Sequence, residues 1–121
     1  MRRGRRSQAG TVTAEVAILF PMLLATIMAG CWVAGVVISS IRCTDAARDV
    51  ARAVARGETT ATATSIGERA APSGAQIEVT REGDDIHVVV RAVTEWPALP
   101  SVVPIEGRAT VQAEPATEEQ P

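Results

Sequence analysis

A single carboxylate stands at the mouth of a long apolar run. Glu15 comes five residues after Gly10, and from Val16 to Ile41 the chain holds 26 consecutive residues without a charge. A charged group near the centre of a membrane helix costs about 3 kcal/mol on insertion scales, and less toward the edge. Glu15 therefore needs a partner or a reason. Other reactive side chains are sparse. Cys31 and Cys43 lie twelve positions apart, about 18 Å along one helix and beyond disulfide reach, so they say nothing about redox compartment. His87 is the only histidine, has no cysteine near it in sequence, and reads as a strand-surface residue. Asp84 and Asp85 fall in a turn, where Asp is ordinary. No Cys, His or acidic cluster has metal-ligand spacing, and neither a phosphate loop nor a nucleophile with its base is present. Nothing here points to an enzyme, a cofactor or a small-molecule substrate.

The elements that must position Glu15 follow from charge and periodicity. At 121 residues the chain has room for one small domain beyond a membrane helix. All 12 basic residues are Arg, and Arg2, Arg3, Arg5 and Arg6 crowd into the first ten positions. Residues 11–121 then carry 8 Arg against 14 acids. A net acidic body with three aromatics offers no basic stacking platform and argues against nucleic acid. Residues 1–10 have no apolar face to bury and read as a basic leader or cytoplasmic anchor, not a folded element. Their arginines favour a cytoplasmic N-terminus, with the rest of the chain extracytoplasmic. Arg42, Arg48, Arg52 and Arg56 beyond the apolar run make the raw count equal.

The run 16–41 is roughly 39 Å long as a helix, enough to cross a ~30 Å hydrocarbon core with some tilt. Pro21 removes one backbone donor and is expected to kink or loosen the helix near Ala17. Small residues recur at helical spacing (Ala25 and Ala29, Gly30 and Ala34, then Cys31, Gly35 and Ser39), as close helix approach in lipid requires, though an Ala- and Gly-rich composition gives the same pattern. Past Arg42 the helix turns amphipathic, with Cys43, Ala47, Val50 and Val54 on one stripe and Asp45–Arg48 and Asp49–Arg52 as i,i+3 pairs. Gly57 is its natural stop. The spacing thus predicts a long helix over 11–57 with a transmembrane part at 16–41.

Residues 58–113 read as a small α+β head. A Thr-rich helix over 58–71, interrupted by Gly67, ends at Pro72–Gly74. A hairpin follows, with Ile77 and Val79 on one strand, a turn at 82–85, and Ile86 to Val93 on the next. A Pro-punctuated loop covers 95–104. A third strand then alternates from Ile105 to Ala113, giving a three-stranded antiparallel sheet with one solvated face. Residues 114–121 are acidic with nothing to bury, and read as a disordered tail.

A basic leader, Gly10, four residues, Glu15 and an apolar helix together resemble the class III signal of type IV pilins and pseudopilins. The resemblance implies that a membrane prepilin peptidase cuts between Gly10 and Thr11, leaving Glu15 fifth in the mature chain. It also implies that Glu15 guides assembly with other pilin or pseudopilin subunits and with assembly platform proteins. A buried carboxylate is tolerable beside a cation, which the new Thr11 amine of a neighbouring subunit would supply. Glu15-Val16-Ala17-Ile18-Leu19-Phe20-Pro21 is similar to the start of TadE-like proteins, minor pilins or pseudopilins of the tight-adherence (Flp) pilus and secretion system. Asp45 to Arg52 and Ala109 to Pro115 fit the same family. The chain departs from major Flp pilins in having Val16 after the Glu and a larger head. It lacks the second acid that TadE-like chains often carry late in the membrane helix, which leaves TadE and its partner TadF undivided. Two other readings stay open. Met28-Ala29-Gly30-Cys31 resembles a lipobox with Cys31 as the acylated residue, although the apolar run continues ten residues beyond it. The other is an unprocessed single-pass membrane protein.

Overall fold

The computed structural model describes residues 5–96, 98 and 100–113, with side chains from residue 10 onward. The chain is α+β, in the order α1 (Arg5–Ala55), α2 (Thr60–Ala70), β1 (Gln76–Glu82), β2 (Asp85–Glu95) and β3 (Val102–Gln112). It divides into two compact units, Met1–Ala34 and Gly35–Pro121. Residues 1–4 of the leader and the tail expected at 114–121 lie outside the described residues.

Among the described residues the first unit is helix alone. α1 begins at Arg5, six residues before the expected start at Thr11, so residues 5–10 are not an unfolded leader here. A helix already nucleated downstream gains one hydrogen bond per added residue without a new nucleation cost. The helix continues through Pro21. Its apolar side chains are uncovered within the chain, Ile18 being 72% and Met22 68% exposed. By length and composition α1 can cross a membrane. The Thr26 hydroxyl donates to the Met22 carbonyl at 2.9 Å, which satisfies a polar group internally as an apolar surround demands.

The second unit is built on the end of α1. Cys43, Ala47, Val50 and Val54, the expected stripe, are buried together with Ala46, Ala51 and Ala53. They meet Ile86, Val88, Val90 and Ala92 of β2 and Ile105 of β3 in one core. Gly57, at φ 89°, closes α1: its N–H donates to the Val54 carbonyl and that of Glu58 to the Ala53 carbonyl. This pair of bonds is the Schellman arrangement, and the left-handed φ is why glycine stands there. Thr59 caps α2 by accepting from the Thr62 N–H, which satisfies one donor otherwise orphaned at the helix start.

Two expectations are corrected. Gly67 does not interrupt α2 but is buried within it. A Cβ there would run into Val50 Cγ2 and lie 2.9 Å from Ile77 Cδ1, so its smallness is what lets α2 sit down on the core. The loop expected at 95–104 is shorter, because Glu95 pairs with Val102, Thr94 with Val103 and Val93 with Pro104. Proline survives in a strand only where its missing N–H is not needed. The odd-numbered residues of β3 bond to β2: Trp96 N–H donates to Ser101, and Ala113 N–H to Asp84. Pro104 is even, and faces the open edge of the β1-β2-β3 sheet.

The tightest contact lies under β3. A Cβ on Gly107 would overlap the backbone of Cys43 and Thr44, with the Cys43 carbonyl oxygen 2.6 Å away. Burial also pushes the Cys43 thiol up from its ordinary value. At Gly67 the obstacles are side-chain methyls of Val50 and Ile77, which yield more readily than backbone, and alanine recovers about 1 kcal/mol of helix propensity. At Gly107 the obstacle is backbone, so overpacking by even one methyl costs roughly 1–3 kcal/mol. Thermal unfolding of the full chain in detergent should therefore show Gly107→Ala clearly destabilised and Gly67→Ala much less so. Equal losses at both positions contradict this packing.

Candidate functional site

Gly10, Thr11 and Glu15 all lie on α1 and all are exposed. Thr11 and Glu15 are one helical turn apart on the same face, separated by about 6 Å of rise. Continuing down that face from Glu15 come Leu19, Met22 and Thr26, at offsets of four, seven and eleven. These three, with Val16, Phe20 and Leu23, line a shallow apolar concavity on the helix surface. Glu15 thus heads an apolar, helix-spaced stripe and has no hydrogen bond or ion pair among the described residues. This stripe went unread in the sequence, though an i, i+4, i+7, i+11 count from Glu15 finds it. Pro21 falls beside it, inside the helix. Cys31 is exposed, Cys43 is buried, and both are free thiols, as their separation on one helix requires.

The arrangement at Glu15 sets a carboxylate at the head of an apolar helix surface. It presents one anionic group and apolar surface, with no second acid–base group on the same stretch. Among the described residues no three His, Cys, Asp or Glu side chains converge to hold a metal.

The outer face of the sheet carries the other polar cluster. Arg91 on β2 donates from Nη1 to Glu78 of β1 at 2.8 Å and from Nε to Glu106 of β3 at 3.1 Å. Arg108 donates to the same Glu106. The hydrogen bonds that Arg91 donates to Glu78 and then to Glu106 raise its guanidinium above its ordinary value. Those from Arg108 and then Arg91 hold the Glu106 carboxyl below its own. A depressed acid contributes stability above the ordinary carboxylate range and loses it as pH falls through the folded value. Because the pairs are exposed, that contribution is small. His87 Nδ1 lies 3.0 Å from Thr110 Oγ1 on this face, which accords with a strand-surface histidine. The cluster joins three strands, and its hub is hidden in the sequence because Arg91 meets Glu106 only through the strand register.

The comparisons agree with the helix. Residues 10–52 match the profile of the TadE-like protein family. A Mycobacterium tuberculosis protein described as an apoptosis inhibitor is 39% identical over 77 residues, which is 64% of this chain and 58% of that protein. The match therefore spans little more than half of the relative's length. No solved structure matches the chain significantly. TadE-like proteins are structural components of pili rather than enzymes, and an apolar N-terminal helix fits a component of the tight-adherence pilus. The family match opens at Gly10, takes in Glu15 and the apolar run, and closes at Arg52 among the first buried turns: over this segment the chain is similar to TadE-like proteins.

Proposed function

We propose that this protein is a minor pilin or pseudopilin subunit of a tight-adherence type IV pilus or secretion apparatus. It enters the cytoplasmic membrane as a single-pass protein with its N-terminus cytoplasmic. A prepilin peptidase cuts between Gly10 and Thr11, and the mature chain docks through its apolar helix to other subunits and to the assembly platform. The observation that carries this reading is the spacing of Gly10, Glu15 and the apolar stripe within the segment that matches the family.

Physics supplies a role for each part. Cleavage leaves a cationic amine at Thr11, one turn from Glu15 on the same face. A neighbour displaced by about one turn brings its amine to this carboxylate, while the apolar stripes pack alongside. Removing either partner from such a pair in a low-dielectric surround costs roughly 3–5 kcal/mol, because the remaining charge is left buried. A wrong register is penalised in the same way, so Glu15 gauges docking. Pro21, by freeing the Ala17 carbonyl, gives the helix a point of adjustment just past the pair.

The intact mass of the membrane-extracted protein tests the processing step. Loss of residues 1–10 is the expected result. Loss of 1–30 with added acyl mass assigns a lipoprotein anchored at Cys31, and an uncut chain assigns a plain membrane anchor. Replacing Gly10 with a bulky residue should leave a full-length precursor. Glu15→Leu should insert and be processed normally yet drop out of purified pili or secretion complexes; incorporation at the wild-type level removes the docking role.

A further inference from the structure

The part of α1 in the second unit has a solvent face that the core does not use. Arg42, Arg48, Arg52 and Arg56 share this face with Asp45 and Asp49, and all six are exposed. Four cations against two anions leave the stripe net positive. Its internal pairing is thin: Arg48 meets Asp45 only at 3.8 Å, with both side chains more than half exposed. Arg56 pairs with Glu58 at 3.0 Å. The expected Asp49–Arg52 pair is not formed, and Arg42 and Arg52 have no ion pair among the described residues.

The same unit carries the opposite charge elsewhere. The β1–β2 turn holds Glu82, Asp84 and Asp85 against Arg81, around Gly83 at φ 62°. Glu82 reaches only His87, at 3.9 Å, and Asp84 and Asp85 have no ion pair among the described residues. The turn does not pair with the helix stripe of its own chain.

From these two facts we infer that the basic stripe of α1 is a docking surface for the acidic β1–β2 turn of a second copy of this chain. The contact joins two different patches, so each copy keeps one free stripe and one free turn, and the association is open-ended. Charge steers and orients it, and exposed pairs make it weak and salt-dependent. Confinement of both copies to one membrane raises their effective concentration and offsets that weakness. The contact presumes assembly of copies, as in the function proposed above, but it does not require cleavage at Gly10. Its failure is therefore read separately from a failure of processing.

Two full-length chains, both carrying Cys31→Ser and one tagged for mass, test this in phosphatidylcholine nanodiscs. One also carries Arg52→Cys and the other Asp84→Cys; Cys43 is buried and stays unreactive to a short bis-maleimide. The mixed pair should cross-link above either self-pair, and 0.5 M salt, at a Debye length of about 4 Å, should suppress it. Adding Arg48→Glu to the first chain should lower the yield about two- to fivefold, and adding Asp85→Arg to the second should restore it. The proposal is overturned by a mixed-pair yield no higher than the self-pairs. It is equally overturned by a yield that ignores salt and charge reversal. A dominant Arg52→Cys self-pair also overturns it, by showing stripe against stripe. Circular dichroism of each variant separates loss of contact from loss of fold.

Discussion

Backbone-to-backbone approach between α1 and β3 governs the second unit. With only a hydrogen on Gly107, the sheet comes down onto the peptide between Cys43 and Thr44. Alanines at 46, 47, 51 and 53 keep the helix surface low, and valines with few rotamers fill what remains. No aromatic side chain belongs to this core. A thin layer of small, stiff residues sacrifices little side-chain entropy on folding, which partly offsets the modest apolar area it buries. Gly67 repeats the device between α2 and Val50, though there a side chain rather than backbone sets the limit.

The open edge of the sheet carries its own protection. β3 is an edge strand of eleven residues, long enough to template pairing with another chain. Pro104 blunts it by withholding a donor on the open side. On the outer face Glu106 lies between Arg91 and Arg108 and is committed to its own sheet. An edge treated in this way is ill suited to recruiting partners, which leaves the helix face and the hairpin turn as the surfaces with charge to spare.

Much of this was legible in the residues themselves. The stripe Cys43, Ala47, Val50 and Val54, the stop at Gly57, and the alternation from Ile105 to Ala113 all follow from local periodicity, and local periodicity decides which face is buried. The errors came where a tertiary contact overrides a local rule. Glycine disfavours helix, yet Gly67 stays inside α2, where the helix meets the core and a Cβ would press on Val50 and Ile77. Proline disfavours strand, yet Pro104 joins β3 because its side of the ladder is empty. Arg5 to Gly10 lack an apolar face, yet they extend a helix whose nucleation was settled downstream. For the site, Glu15 and its spacing from Gly10 were plain in the sequence. The apolar stripe below it becomes visible only when residues are counted around the helix rather than along the chain. The Arg91 hub needs the strand register, which no local signal supplies.

The two units differ in what completes them. In the second, among the described residues, no buried side-chain polar atom lacks a partner and the core residues cover one another, although Val93 and Val102 stay exposed. In the first, Phe20, Met22 and Leu23 are each at least 60% exposed, and the hydrophobic effect forbids leaving such a surface in water. Lipid can cover the apolar flanks, but it cannot satisfy Glu15, because hydrocarbon offers a carboxylate neither donor nor cation. Water at the membrane surface can, and so can a cation near the helix start. The assembly proposed above uses the second: a neighbouring chain that has lost its leader would bring an apolar flank and an amine together.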